Sequence, residues 1–275
     1  MPTEPPDQGL RTHDAQPAET EAAALARLYD LDLVEDPGDL DLYLAFAQRT
    51  GGPILELAVG SGRLAVPLAA AGHDVTGIDL DPAMLVRARA RAVAAGEAAA
   101  GRLTLVGGDA RDIRLPDVGR YRLAFLALNS LLIMGDRVAQ EAVVRTLADH
   151  LTTGGLAVVD VWLPDADDLA RYDGRVILEY PRRDPESGHF VTKVGSALHD
   201  SATGTFQLTT IYEEGDPGQP AVRWIRQDRM RLVSPDDLRS FAEAAGLEVE
   251  SVAGGYDLEP LAPGADRAIL VAARR

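Results

Sequence analysis

The segment Ile54-Leu55-Glu56-Leu57-Ala58-Val59-Gly60-Ser61-Gly62-Arg63 constrains this chain more than any other. An apolar run ends in a turn of small residues, and the turn opens a helix over Leu64 to Ala71. A second apolar run, Val75-Thr76-Gly77-Ile78, then ends in Asp79, seventeen positions after Gly62. Strand, loop, helix and strand in that order make half of a nucleoside-binding parallel sheet. Small residues let the backbone approach a ligand, and a carboxylate closing the second strand is placed to hold a ribose diol.

The wording of the loop narrows the ligand. A dinucleotide site wants G-x-G-x-x-G, because the pyrophosphate sits on backbone N–H groups at a helix N-terminus. Here the pattern is Glu56-x-Ala58-x-Gly60-x-Gly62, with no third glycine at the required spacing. An acidic group at the strand end repels a pyrophosphate and favours a cationic ligand. A nicotinamide-dependent dehydrogenase, the competing enzyme class, is therefore disfavoured.

Further motifs follow in order. Met84-Leu85 comes shortly after Asp79, and Gly108-Asp109-Ala110 follows the strand Leu103 to Val106. The strand Leu123 to Leu128 runs into Asn129-Ser130-Leu131-Leu132, and Gly154-Gly155 precedes the strand Leu156 to Val161. Together with the first loop, these motifs resemble class I S-adenosylmethionine (SAM) dependent methyltransferases over roughly residues 28–163, plus closing elements near the C-terminus. The resemblance implies an α/β, Rossmann-like seven-stranded methyltransferase sheet. It also implies a cofactor site drawn from Tyr29, Glu56, Ala58, Gly60, Gly62, Arg63, Asp79, Leu80, Met84, Asp109, Ala110, Leu128 and Asn129. In the family the apolar pair after strand two flanks adenine, the Gly-Asp-Ala turn reads the adenine edge, and the segment after strand four closes on the methionine moiety. Two departures stand out: Ala58 occupies the place of the family's first glycine, and no proline precedes strand five. Alanine adds one methyl and still permits close approach, so SAM binding is expected to be intact.

Composition excludes several classes. The chain has 275 residues, 46% hydrophobic and 25% charged, as in a globular domain. Its 27 basic and 43 acidic residues give a net charge of −16. Nucleic-acid binding draws on cationic contacts to phosphate, so no nucleic-acid partner is expected. The absence of cysteine removes disulfides, thiolate metal sites and the thiol adduct used in pyrimidine C5 methylation. The first residues carry no apolar core and the longest apolar run, Leu123 to Met134, is too short for a bilayer. A cytoplasmic protein without membrane contact is expected.

Residues 1–17 read as a disordered tail and 18–275 as the methyltransferase domain. Helical periodicity over 18–50, with Leu25, Leu28 and Tyr29 on one face, reads as a lid, as in the family. The segment Met84 to Ala100, rich in alanine and arginine, reads as one helix with a solvated charged face. Asp136 suits the N-cap of a helix over Arg137 to Leu151. Where a minimal family member passes quickly from strand five to its last helix, this chain inserts residues 175–232. Arg175 to Pro181, Phe190 to His199, Thr205 to Glu213 and Val222 to Leu232 are strand-like, and turn chemistry separates them. They predict an antiparallel insert over the acceptor, a layout similar to N-methyltransferases of amino sugars, with an exposed edge that makes a homodimer possible. Ser234-Pro235 opens a helix, and Leu247 to Val252 with Ala268 to Ala272 predicts an antiparallel edge.

The expected reaction is methyl transfer from SAM to an O or N atom of a small-molecule acceptor. The sulfonium is already an activated leaving group, so orientation, which supplies roughly 7–11 kcal/mol, carries more than a general base at about 3–5 kcal/mol. His199 and Tyr212 are the candidate catalytic residues, because a short connection joins their strands; Tyr180 and His189 are weaker. Trp162 is a candidate for lining the acceptor cavity. No metal is expected: Asp160, Asp165, Asp167 and Asp168 are acidic, but the Asp-Asn pair of metal-dependent catechol methyltransferases is absent. No Pro-Pro-aromatic motif follows strand four, which argues against adenine or glutamine-amide methylation. The alternative to turnover is a SAM-fold protein that binds the cofactor as an assembly module or for another reaction.

Overall fold

The computed structural model describes residues 19–34 and 37–275. The tail expected over residues 1–17 lies outside the described residues. Two helices come first, α1 (Glu21–Asp32), capped by the Thr20 hydroxyl, and α2 (Leu40–Thr50). Then follow β1 (Ile54–Leu57), α3 (Ala65–Ala70), β2 (Val75–Asp79), α4 (Pro82–Ala94), α5 (Glu97–Arg102) and β3 (Leu103–Gly107). Next are β4 (Tyr121–Leu126), a 3-10 turn (Ser130–Ile133), α6 (Arg137–His150), β5 (Leu151–Trp162) and α7 (Ala166–Arg171). The insert is β6 (Asp173–Arg183), β7 (Phe190–Asp200), β8 (Thr205–Glu214) and β9 (Val222–Arg231); α8 (Pro235–Ala244), β10 (Leu247–Ala253) and β11 (Arg267–Arg274) close the chain.

The main sheet has seven strands in the order β10-β11-β5-β4-β1-β2-β3. Its first five strands in the chain run parallel, and β11 returns antiparallel between β5 and β10. Helices cover both faces, so the central strands are buried throughout: β1 exposes none of its residues. That burial is why these strands read as continuous apolar runs. The α2 half of the 18–50 segment is a layer of this core, not part of a cover. Its Leu42, Tyr43, Phe46 and Ala47 pack on Ile54, Leu123 and Phe125, with the Tyr43 and Phe125 rings 4.4 Å apart.

Two local expectations need correction. Met84 to Ala100 is not one helix: Gly96, at φ +112°, separates α4 from α5, because that backbone region favours glycine. Nor is the α4 charge simply solvated, since Arg87 and Arg91 pair with Asp30 of α1. Before strand five, Gly154-Gly155 is not a turn outside the strand. The ladder starts at Leu151, and the register shifts between the pairs Tyr121–Leu151 and Leu123–Leu156. A Cβ on Gly155 would lie 2.9 Å from the Tyr121 carbonyl oxygen, so only glycine fits that bulge.

The insert forms a separate four-stranded antiparallel sheet, β6-β7-β8-β9. Helix α1 packs on one face of it, where Leu28 and Leu31 meet Val191 and Tyr212, with Tyr180 and Trp224 alongside. Polar bolts add to this contact. Arg27, buried, pairs with Asp184 and with Glu214, the latter at 2.8 Å. Asp32 accepts hydrogen bonds from the Tyr180 hydroxyl at 2.6 Å, the Tyr212 hydroxyl at 3.0 Å and Lys193 Nζ at 2.9 Å.

Candidate active site

The site begins where β1 and β2 end. Asp79 accepts the Gly60 N–H on Oδ2 at 2.8 Å and the Asp81 N–H on Oδ1 at 2.9 Å. Burial pushes the Asp79 pKa up, and those two N–H bonds act in the opposite direction. Each carboxylate oxygen keeps a lone pair for a further donor. Ala58 sits in the left-handed region at φ +53°, which costs a residue with a Cβ about 1–2 kcal/mol. Gly60, at φ +55°, is open, its nearest neighbour being the Tyr29 ring 4.0 Å from a notional Cβ.

A cavity of about 660 Å³ opens at these loops. Tyr29, Ala58, Gly60, Asp79, Leu80 and Met84 line it, together with Asp109 and Ala110. Asp109 is held below the ordinary aspartate range, chiefly by the Arg111 side chain that it binds. Tyr29, partly buried, has its hydroxyl pKa raised by burial, with Arg63 and Arg226 pulling the other way.

Five residues assigned to the cofactor from sequence do not line the cavity. Gly62 serves helix packing: at φ +80°, a Cβ there would lie 3.1 Å from that of Ala88 and 3.2 Å from Val66. Arg63 is turned onto the buried Asp39, 2.7 Å from Nη2. Glu56 is buried below the loop with Oε2 unpartnered among the described residues, and burial drives its pKa well up. Leu128 and Asn129 stitch the end of β4 to β5: the Leu128 N–H donates to Asp160 at 3.2 Å, and Asn129 Oδ1 accepts the Trp162 N–H at 2.6 Å. Their left-handed backbones make that crossing.

The candidate catalytic pair is also separated. His199 stands opposite Phe206 in the β7–β8 register, whereas Tyr212 lies six residues farther along β8, roughly 20 Å at strand rise. His199 packs on the Phe206 ring at 4.9 Å, and the buried Tyr212 spends its hydroxyl on Asp32. Tyr180 binds the same Asp32, His189 binds Asp216 at 3.1 Å, and Trp162 packs edge-on against Tyr172. None of these lines the cavity. A shared short turn puts residues near it together, and Tyr212 is too far from the turn for that. The acidic stretch after β5 is likewise structural: Asp165 and Asp168 form the capping box of α7, and Asp160 pairs with Arg267.

Sequence reasoning missed part of the cavity wall. Glu21, Ala22 and Leu25 of α1, Ser130, Ile133 and Met134 at the 3-10 turn, and Arg226, Gln227 and Asp228 of β9 also line it. Asp228 accepts Arg226 Nε at 2.7 Å and Nη2 at 3.0 Å. The signal was the charged pair in an otherwise apolar alternation, Trp224-Ile225-Arg226-Gln227-Asp228. Only the packing shows what that strand faces.

Comparison with known proteins agrees with this geometry. Residues 54–155 match a family described as a methyltransferase domain. The chain is 28% identical over 239 residues to the dTDP-3-amino-3,4,6-trideoxy-alpha-D-glucopyranose N,N-dimethyltransferase of Streptomyces venezuelae, covering 84% of this chain and 92% of that one. Among solved structures, DesVI of Streptomyces venezuelae superposes with a TM-score of 0.71 at 23% identity, over 94% of this chain and 100% of that one. The CcbJ methyltransferase of Streptomyces caelestis gives 0.70 at 23% identity, over 88% and 97%. The chain thus carries a methyltransferase domain over residues 54–155 and shares the fold of SAM-dependent methyltransferases.

Proposed function

We propose that this chain transfers the SAM methyl group to the nitrogen of an amino group on a small polar acceptor of the amino-sugar type. The residues that line the cavity carry the reading. The lining at β1 and β2 suits the cofactor. The lining from α1, the 3-10 turn and β9 carries two carboxylates, Glu21 and Asp228, against one cation, Arg226, which Asp228 binds. Such a balance favours an acceptor that is itself cationic.

Nitrogen is favoured over oxygen on chemical grounds. The bound ammonium first gives up a proton to water or to a carboxylate; the neutral amine then attacks the methyl carbon with its lone pair, the S–CH3 bond breaks, and S-adenosylhomocysteine leaves as a neutral thioether. A second proton then passes from the methylated nitrogen to a carboxylate or to water. An alcohol needs a base to reach comparable nucleophilicity. Among the described residues no histidine lines the cavity, and the raised Tyr29 hydroxyl is no base. The relative that acts on a dTDP-linked amino sugar supports the same class. Cytoplasmic work is part of this reading; no helix among the described residues is long and apolar enough to cross a membrane.

The test is turnover with SAM and a panel of dTDP-linked amino sugars beside their hydroxyl counterparts, read as S-adenosylhomocysteine by mass spectrometry. Methylated amine with unreacted hydroxyl counterpart is the expected result. Turnover of the hydroxyl sugars alone would overturn the nitrogen assignment. Tight SAM binding with no turnover on either set would overturn the acceptor class.

A further inference from the structure

Helix α1 lines the cavity through Glu21, Ala22, Leu25, Ala26 and Tyr29, with Tyr29 beside Gly60 of the cofactor loop and the helix also in contact with β9. It is fastened to the four-stranded sheet by a shared apolar cluster, by Arg27 and by Asp32. Against the seven-stranded body its polar attachment centres on one side chain. Asp30 accepts the hydroxyl of Ser61, in the cofactor loop itself, at 2.5 Å. It also accepts Arg87 Nε at 2.7 Å and pairs with Arg91 at 3.1 Å, both from α4. Arg87 reaches on to Glu186 in the β6–β7 turn, so one guanidinium ties body, helix and insert together. At another margin the insert stays attached through the chain: β9 runs on towards α8, and Arg231 there holds Gln140 of α6 at 2.8 Å.

We infer that α1 and the four-stranded sheet form one cover, that the Asp30 cluster latches this cover to the cofactor loop, and that cofactor exchange therefore lifts the acceptor wall as well. Asp30 is a positioning residue, acting through Ser61 and Arg87. The same helix cannot admit SAM past Tyr29 while Leu25 and Glu21 stay in place for an acceptor. The order of binding follows: SAM enters first, S-adenosylhomocysteine leaves last, and an occupied acceptor site slows cofactor release. The latch itself rests only on SAM as the cofactor; the binding order rests also on the proposed acceptor site.

Stopped-flow release of S-adenosylhomocysteine tests the latch without any acceptor. The latch is partly exposed, with Arg87 21% and Asp30 16% accessible at the side chain, so added salt weakens it. Release from the parent accelerates with ionic strength. Asp30→Asn and Arg87→Ala each release about tenfold faster and lose most of that salt dependence, and Arg87→Lys recovers part of the rate. The double variant is no faster than the singles, because each breaks the same tie. Rates within twofold of the parent in all variants would overturn the latch. The chain has no cysteine, which permits a second test that does not depend on weakening anything. Arg87→Cys with Glu186→Cys, bridged by a short bismaleimide after loading, should trap the bound ligand. Exchange at the parental rate in the bridged protein would sink the cover model. If the latch variants behave as expected yet product-inhibition patterns show random order, the cover stands and the acceptor site has been misplaced.

Discussion

The seven-stranded body and the four-stranded insert are both sheets, yet they are built on opposite terms. In the body, parallel strands lie between helices, and β1 and β4 are buried along almost their whole length. In the insert, β6 is exposed over most of its length and β9 alternates between exposed and half-covered. The body is held by apolar burial that water cannot reach. The insert is held to the rest by α1 with its polar bolts, Arg27, Asp32 and the Asp30 cluster, and at its other margin by Arg231 on Gln140, Met230 on the core and the Trp162, Tyr172 and Phe206 rings. Such a division suits a rigid cofactor platform with a separable cover, because regions with few buried apolar contacts open at lower cost than the global fold.

Removing a bolt is the strongest way to break that comparison. Arg27→Leu leaves Asp184 and Glu214 buried without their cation, which costs about 3–5 kcal/mol when a buried pair is broken. Hydrogen exchange should accelerate in β6–β9 and stay unchanged in β1, β4 and β5; equal loosening of both sheets would show that they are one cooperative unit. The pH dependence has a definite sign. Burial alone would raise both carboxylates, but the Glu186 N–H and Arg27 at Asp184, and Arg27 at Glu214, hold them below their ordinary values. A depressed carboxylate stabilises the fold above its unfolded pKa and loses that contribution as the pH falls through its folded value. In the parent, the insert therefore loosens first in acid; in the variant that acid sensitivity is reduced.

Asp79→Ala probes the platform without touching the cover. It removes the carboxylate that would accept the ribose hydroxyls, charge-assisted bonds worth roughly 1.5–3 kcal/mol each, and it frees the Gly60 N–H. Calorimetry should show SAM bound at least tenfold more weakly, with exchange in β6–β9 unchanged. Equal affinity for variant and parent would remove Asp79 from the site.

Glu56→Gln tests burial of charge beneath the loop. With a folded pKa raised by burial, Glu56 takes up a proton on folding. Its penalty is absent below the ordinary glutamate range and grows as the pH rises towards the folded value. The variant should melt a few degrees higher at neutral pH, at roughly 2–4 °C per kcal/mol, and match the parent in acid. A lower melting point at neutral pH would mean that the carboxylate is held by a partner.

The smallest expected effect is at Ala58, whose left-handed backbone glycine would relieve. Against a strain of about 1–2 kcal/mol stands the greater freedom of unfolded glycine, about 0.4–1 kcal/mol. Ala58→Gly should thus stabilise the platform by about 1 kcal/mol or less in denaturant unfolding, with SAM affinity preserved. Destabilisation would show that the methyl packs usefully.

The body was legible in the sequence because its signals are local. Each parallel strand is a short apolar run, helix starts such as those at Asp81 and Asp136 carry a side-chain cap, and Asp79 sits at a fixed distance from the loop that it holds. The four insert strands were equally plain, since alternation and turn chemistry act over a few residues. Packing across distant segments was not legible. Gly62 and Gly60 look alike in the chain, yet one faces Ala88 and the other the cavity. Arg63 looked like a ligand residue until Asp39 was found beside it.

The sequence by itself determined the cofactor half of this protein, namely a parallel sheet, a small-residue loop and an acidic strand end, because those features depend on backbone geometry and short-range spacing. Only the tertiary structure decided the other half. It put Arg226 and Asp228 into the cavity, drew His199 and Tyr212 out of it, and assigned α1 to the insert while α2 joined the core. The physical reason is that strand alternation states which residues share a face, whereas what covers that face depends on segments far away in the chain.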